Sequence, residues 1–145
     1  MFEKLRRRLA MDMAPFSKKP PAAAADAQIS ELAARGEAEL GIVLPEPYME
    51  FLREMNGFAW NDAIMYGCDA DGERPGVDLV EQNKSWHDNE WNKRYLFLGE
   101  SSISWYVFDS ADGRYKLLDL PSGADMEIFD GFHDLVAALV AVAVG

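Results

Sequence analysis

The chain of 145 residues has one cysteine, Cys68, and two histidines, His87 and His133. A lone cysteine excludes an intrachain disulfide and any multi-cysteine zinc site. It fits a reducing compartment, so a cytoplasmic location is expected. No basic residue lies close to Cys68 in sequence, and it reads as a small buried hydrophobe rather than a reactive thiol. Long apolar runs are also missing, and none reaches the length needed to span a bilayer. The apolar stretch Leu135 to Val144 is too short and reads as a buried terminal helix. The basic N-terminus is not followed by an apolar core and a cleavage site, so it does not read as a secretory signal. There is no internal repeat and no low-complexity segment.

Catalytic patterns are missing as well. Ser101, Ser102 and Ser104 lie near a glycine, but no Gly-x-Ser-x-Gly elbow surrounds them. No glycine loop is built to cradle phosphate. His87, Asp88 and Glu90 could ligate a metal or trade protons, yet only His133 could join them, and a metal site needs several converging ligands. The run Asp69-Ala70-Asp71-Gly72-Glu73 has part of a calcium loop's spacing. It lacks the regular continuation and the distant bidentate glutamate, so a solvated turn is expected. No cofactor is expected, and neither is enzymatic activity.

Cations are scarce and unevenly placed. Residues 1–19 hold Lys4, Arg6, Arg7, Arg8, Lys18 and Lys19 against Glu3 and Asp12, a net +4. The whole chain carries −11, so residues 20–145 carry −15. Such a body repels nucleic acid and anionic membranes and steers toward basic partners. Plain solubility is the alternative meaning of the same acidity.

Hydrophobic periods give the element order. Phe2, Leu5, Leu9 and Met13 recur at helical spacing, with Lys4 and Arg6 to Arg8 mostly elsewhere on the wheel, so Met1 to Met13 is an amphipathic helix. That helix could dock on its own domain, on a second copy of the chain, or on a membrane surface. Pro15 stops it, and Lys18 to Ala27 reads as a Pro/Ala linker. Residues 1–28 are therefore expected to be a separate basic arm and linker, with residues 1–27 dispensable for folding, and residues 29–145 the domain. Helices are expected over Ile29 to Leu40 and Pro47 to Met55, then short strands at Phe58 to Trp60 and Ala63 to Cys68. Asp69 to Gly76 is a loop. Asp78 and Glu81 open a capping box for a helix toward Trp86. Strands follow at Tyr95–Leu98, Ile103–Phe108, Tyr115–Leu120 and Met126–Phe129, with a hairpin turn at Ser110 to Gly113. Asp130 is expected to cap a last helix whose inner face is Phe132, Leu135, Val136, Leu139 and Val140. The fold class is α+β, an antiparallel sheet covered by N-terminal helices and a C-terminal helix.

One stretch is more specific than the rest. Gly41 can end a helix in the left-handed conformation, and Pro47 suits a first helical turn. Tyr48, Phe51, Leu52 and Met55 then fall on one face, and Asn56-Gly57 turns the chain. The series Gly41, Leu44, Pro45, Tyr48, Phe51, Leu52, Asn56 and Gly57 resembles the opening motif of the SUKH superfamily, the Smi/Knr type of cell-wall-assembly regulator. The later strand Ile64 to Gly67, the run Tyr95 to Ser101, the aromatic strand Trp105 to Asp109 and a helix opening near Phe132 agree with it, over about residues 29 to 140. The resemblance implies an α+β domain without catalysis. It implies an immunity protein that binds and neutralises a cognate bacterial toxin in the cytoplasm, or else a regulatory or scaffold module for the cell's own proteins.

Four tryptophans remain to be placed. Trp105 alternates with Val107 on a strand and belongs to the core. Trp60 is followed by Asn61-Asp62, and Trp86 and Trp91 are embedded in acid. Aromatic residues ringed by carboxylates have the composition of an interface for a basic partner. The expected partner-binding residues are Trp60, Asp62, Glu81, Trp86, Asp88, Glu90 and Trp91, and the expected partner is a basic toxin domain.

Overall fold

The computed structural model describes residues 1–145. Helix α1 spans Glu3–Met13, α2 Asp26–Arg35, α3 Glu46–Leu52, α4 Leu79–Trp86 and α5 Phe132–Val144. Strands are β1 Phe58–Trp60, β2 Ala63–Met65, β3 Tyr95–Glu100, β4 Ser104–Asp109, β5 Arg114–Asp119 and β6 Asp125–Phe129. They form one six-stranded sheet in sequential order, antiparallel throughout. This is the α+β arrangement expected from the sequence. No helix is long and apolar enough to cross a membrane.

Directly opposed residues of paired strands share a face. The register therefore aligns Ile64, Glu100, Trp105 and Leu118 on one face. The other face carries Leu96, Tyr106, Phe108, Tyr115, Leu117 and Phe129. Phe132 of α5 packs on this second face against Tyr115, and it also meets Phe2, Tyr48 and Phe51. Helices α1, α3 and α5 thus close one side of the sheet around an aromatic core. Helix α4 closes part of the opposite side, where Asn83 bonds both the N–H and the C=O of Phe97.

The motif residues act as a clamp. Tyr48 Oη donates to the Tyr66 carbonyl at 2.8 Å. The Asn56 amide reads Cys68 in both directions, donating to its carbonyl at 3.0 Å and accepting from its N–H at 2.7 Å. Gly57 has φ +68, and a Cβ there would collide with the Met65 carbonyl. After Met65 the backbone pairing passes from β3, where Tyr66 N–H still reaches Leu98 O at 2.9 Å, to the segment before α4, where Gly67 bridges Asp78, so β2 ends short of the expected Cys68. Burial first, then the charge of Asp78, raises the Cys68 thiol to about 11, in line with an inert cysteine.

Other elements depart from expectation in ways the contacts explain. Phe2, Leu5, Leu9 and Met13 are all buried in the same core cluster as the rest of the molecule. The segment read as a linker is tied down: Arg6 donates to the Pro21 carbonyl at 2.6 Å, Ala24 N–H to Leu52 O at 2.8 Å and Asn56 N–H to Ala22 O at 2.9 Å. Residues 1–27 therefore pack as part of the fold. The last turn of the second helix widens into a π-turn, Gly36–Leu40, and Gly41 closes it at φ +69. Asp78 caps α4 through the Glu81 N–H as expected, but the Glu81 carboxylate turns away to Lys84 and Arg35. Gly131, not Asp130, is the N-cap of α5, and no side chain caps it.

Candidate functional site

The sequence-predicted residues fall into three places. Trp60 and Asp62 belong to the β1–β2 hairpin and line a groove of about 410 Å³ with Ala59, Ile64, Glu100 and Ser101. Trp86 ends α4 and packs edge-on against Trp105 at 5.2 Å. Asp88, Glu90 and Trp91 occupy the connection from α4 to β3, where a short 3-10 turn spans Glu90–Asn92. Trp91 is 46% exposed, packs against Tyr95, and would touch any side chain placed at Gly123. Tyr95, Phe97 and Trp105 share the face that carries Ile64 and Glu100, so Trp86 and Trp91 lie on that side of the sheet, whereas the register pairs Trp60 with Ala63 on the opposite face. Glu81 lies apart, drawn into ion pairs with Arg35 and Lys84.

Two of these places are joined by hydrogen bonds. Trp86 Nε1 donates to Tyr66 Oη at 3.0 Å, and Tyr66 Oη donates to Glu100 Oε1 at 2.7 Å. Burial first, then the adjacent Glu100 charge, holds the Tyr66 phenol protonated well above the ordinary tyrosine range. A phenol that keeps its proton remains a fixed donor, so Glu100 is pinned at the floor of the groove. On the other face of the sheet Trp60 Nε1 donates to Asp12 Oδ2 at 2.8 Å, and Phe16 packs edge-on against the indole at 5.6 Å. The N-terminal segment thereby sets the pose of a groove residue. Sequence reasoning missed Glu100, because its proximity to Asp62 depends on β2–β3 pairing of Ile64 with Glu100, 36 positions apart in the chain. Its only local signal was an acid at the end of an apolar strand.

A second concavity, about 520 Å³, lies between α2, the 21–23 segment and the 68–74 loop. Glu31, Asp71 and Glu73 line it, but so do Arg35 and Arg74. Asp69 accepts from the N–H groups of Glu73 and Arg74, so this loop is a self-bonded turn. Arg35 forms a two-pronged pair with Asp78 at 3.1 and 2.8 Å. Burial works to raise the Asp78 pKa, but bonds from Arg35 and from the Glu81 and Asp69 N–H groups outweigh it and leave it below the ordinary range.

Chemistry finds little to use here. No three His, Cys, Asp or Glu side chains converge as a metal site requires. His87 Nε2 is spent on the Tyr95 carbonyl at 2.7 Å, and His133 stacks on Phe2. What the surface offers instead is fixed charge beside aromatic rings, the equipment of a binding domain.

Fold and site together define an α+β domain with a six-stranded antiparallel sheet and charged, tryptophan-bearing surfaces. The chain belongs to the SMI1 / KNR4 family (SUKH-1), whose pattern matches residues 24–134. A crystal structure of a protein from Pseudomonas syringae pv. tomato has the same fold, with a TM-score of 0.64 at 17% identity, over 90% of this chain and 92% of that one. No curated protein matches the chain.

Proposed function

We propose that this chain is a non-catalytic immunity protein, acting in the cytoplasm, that neutralises a basic toxin domain by binding it. The observation that carries the reading is how the body spends its cations. Arg35, Arg53, Lys84, Lys93, Arg94 and Lys116 are all engaged in internal ion pairs. Arg74 is bonded to the Asn56 carbonyl, and of the eight cations in residues 20–145 Arg114 alone has neither an ion pair nor a side-chain hydrogen bond. Asp62, Glu100, Glu31, Asp71, Glu73 and Asp88 have no cationic partner among the ion pairs. Their charge is left to act outward; Asp62, Glu100 and Asp88 lie in the segments that carry Trp60, Trp86 and Trp91, and Glu31, Asp71 and Glu73 line the cleft beside α2. A toxin whose own substrate is polyanionic presents the complementary surface.

The second reading is a regulatory or scaffold module for the cell's own proteins. It is favoured by the outer face of α1, where Lys4, Arg7 and Arg8 are exposed together with Met11 and Phe16, a contact surface of opposite sign. Co-expression separates the two. The toxin domain encoded beside this chain's gene should arrest growth alone, and this chain should restore growth and co-elute with that domain. Toxicity undiminished by this chain, or no toxin gene beside its own, contradicts the immunity reading.

A further inference from the structure

We infer that the outer face of α1 is a peripheral docking surface for an anionic lipid membrane. Such docking is independent of whichever partner the acidic body takes.

Helix α1 is held in place before any contact. Phe2, Leu5, Leu9 and Met13 are buried in the core, so the helix cannot turn its apolar side to a bilayer. It offers the opposite side. Lys4, Arg7, Arg8 and Met11 have the i, i+3, i+4, i+7 spacing of one helix face, and all four are exposed. Phe16, Lys18 and Lys19 follow just past the helix end and are exposed as well. Lys4, Arg7, Arg8, Lys18 and Lys19 enter no ion pair, unlike most cations of the body. Of the two acids in this segment, Asp12 is spent on the Trp60 indole, and Glu3 alone is exposed. The family pattern begins at residue 24, so the shared domain does not account for α1.

The interleaved apolar side chains favour lipid over other polyanions. Met11 is 72% exposed and Phe16 is 67% exposed, although each stands beside cations. A phosphate backbone would use the cations alone, whereas the bilayer interface takes up both the charges and bulky apolar groups. The main clefts of the molecule lie elsewhere, which leaves an open helix face suited to a flat partner. A second copy is disfavoured, since pairing would bring two strongly acidic bodies together. The acidic body does not cancel the attraction to lipid, because a Debye length of about 8 Å at physiological salt keeps each surface charge local.

Flotation of the full-length protein with vesicles tests this. One set is phosphatidylcholine alone, and the other is equal parts phosphatidylcholine and phosphatidylglycerol. The protein should float with the anionic vesicles only, and rising salt should release it. Lys4→Gln with Arg7→Gln and Arg8→Gln should weaken partitioning roughly 100-fold, at about fivefold per cation, with the thermal transition unchanged because these side chains are exposed and unpaired. Met11→Ser with Phe16→Ser should weaken it about tenfold. Arg114→Gln, at the unpaired cation of the body, should change nothing.

No binding to anionic vesicles, equal binding to both kinds, or binding that survives the triple substitution overturns the assignment. So does tighter binding to polyuridylic acid at the same salt, or a dimer in sedimentation velocity that depends on Arg7 and Arg8. Growth rescue by a variant that no longer floats leaves the toxin reading intact, and flotation without rescue leaves only the lipid surface.

Discussion

Lys116 is the least conventional residue in the fold. Its side chain is only 5% exposed, on a strand, and it contacts Asp109 and Asp112 at 2.8 Å each, with Asp125 at 3.7 Å. Arg94 joins from the other side, reaching both Asp109 oxygens at 2.9 and 2.6 Å. Burial alone would raise the Asp109 pKa. The hydrogen bonds from Arg94 and Lys116 win, and it falls to about 2. Lys116 moves the other way: burial favours loss of its proton, but Asp109 and Asp112 outweigh that and raise its pKa. A carboxylate depressed in the folded state stabilises above its unfolded pKa and loses that stabilisation as pH falls through the folded value. The Asp109 contribution should therefore be complete above about pH 4 and lost from there down to about pH 2. Asp109→Ala should cost about 3–5 kcal/mol at neutral pH, because it strands the Lys116 charge in the interior. Urea unfolding at pH 7 and pH 3 checks both statements. A variant as stable as the parent at pH 7 would show that Lys116 finds full compensation in Asp112 and Asp125 alone.

Among the elements, α1 separates what a sequence can tell from what it cannot. The spacing of Phe2, Leu5, Leu9 and Met13 makes the helix plain. Nothing in that spacing says which surface receives its apolar side, and the proline pair that follows suggested a tether. The receiving surface is assembled from Phe51 of α3 and Phe132 of α5, far apart in sequence, so the docking is invisible until the chain folds. The same limit explains the site. Trp60 and Asp62 were readable as an aromatic next to acid, whereas Glu100 enters only through strand register. By contrast α3, the α4 cap and the hairpins of β3 to β5 rest on local rules, and those were legible. Deleting residues 1–27 should now be destabilising. Four buried apolar side chains at roughly 1.5–3 kcal/mol each rival the stability of an ordinary domain. Thermal unfolding should lose its cooperativity or shift down by at least about 10 °C. A deletion variant with an unchanged transition would mean the helix merely rests on a complete core.

At the scale of the whole molecule, charge separation is the dominant property. A basic helix face lies on an acidic body whose cations are mostly locked in pairs, and the free carboxylates fall in two regions, one near the tryptophans and one in the cleft beside α2. Long-range attraction of this kind acts on encounter, whereas a buried aromatic anchor acts on escape. The most direct test is stopped-flow association with the basic toxin domain that the proposed function requires, across a series of salt concentrations. The account predicts a rate that falls steeply as salt rises. Asp88→Lys with Glu90→Lys should slow association and flatten that slope, and Trp91→Ala should speed dissociation. An association rate unchanged by the charge reversals at low salt would contradict it, and would leave the acidity of this chain as a matter of solubility.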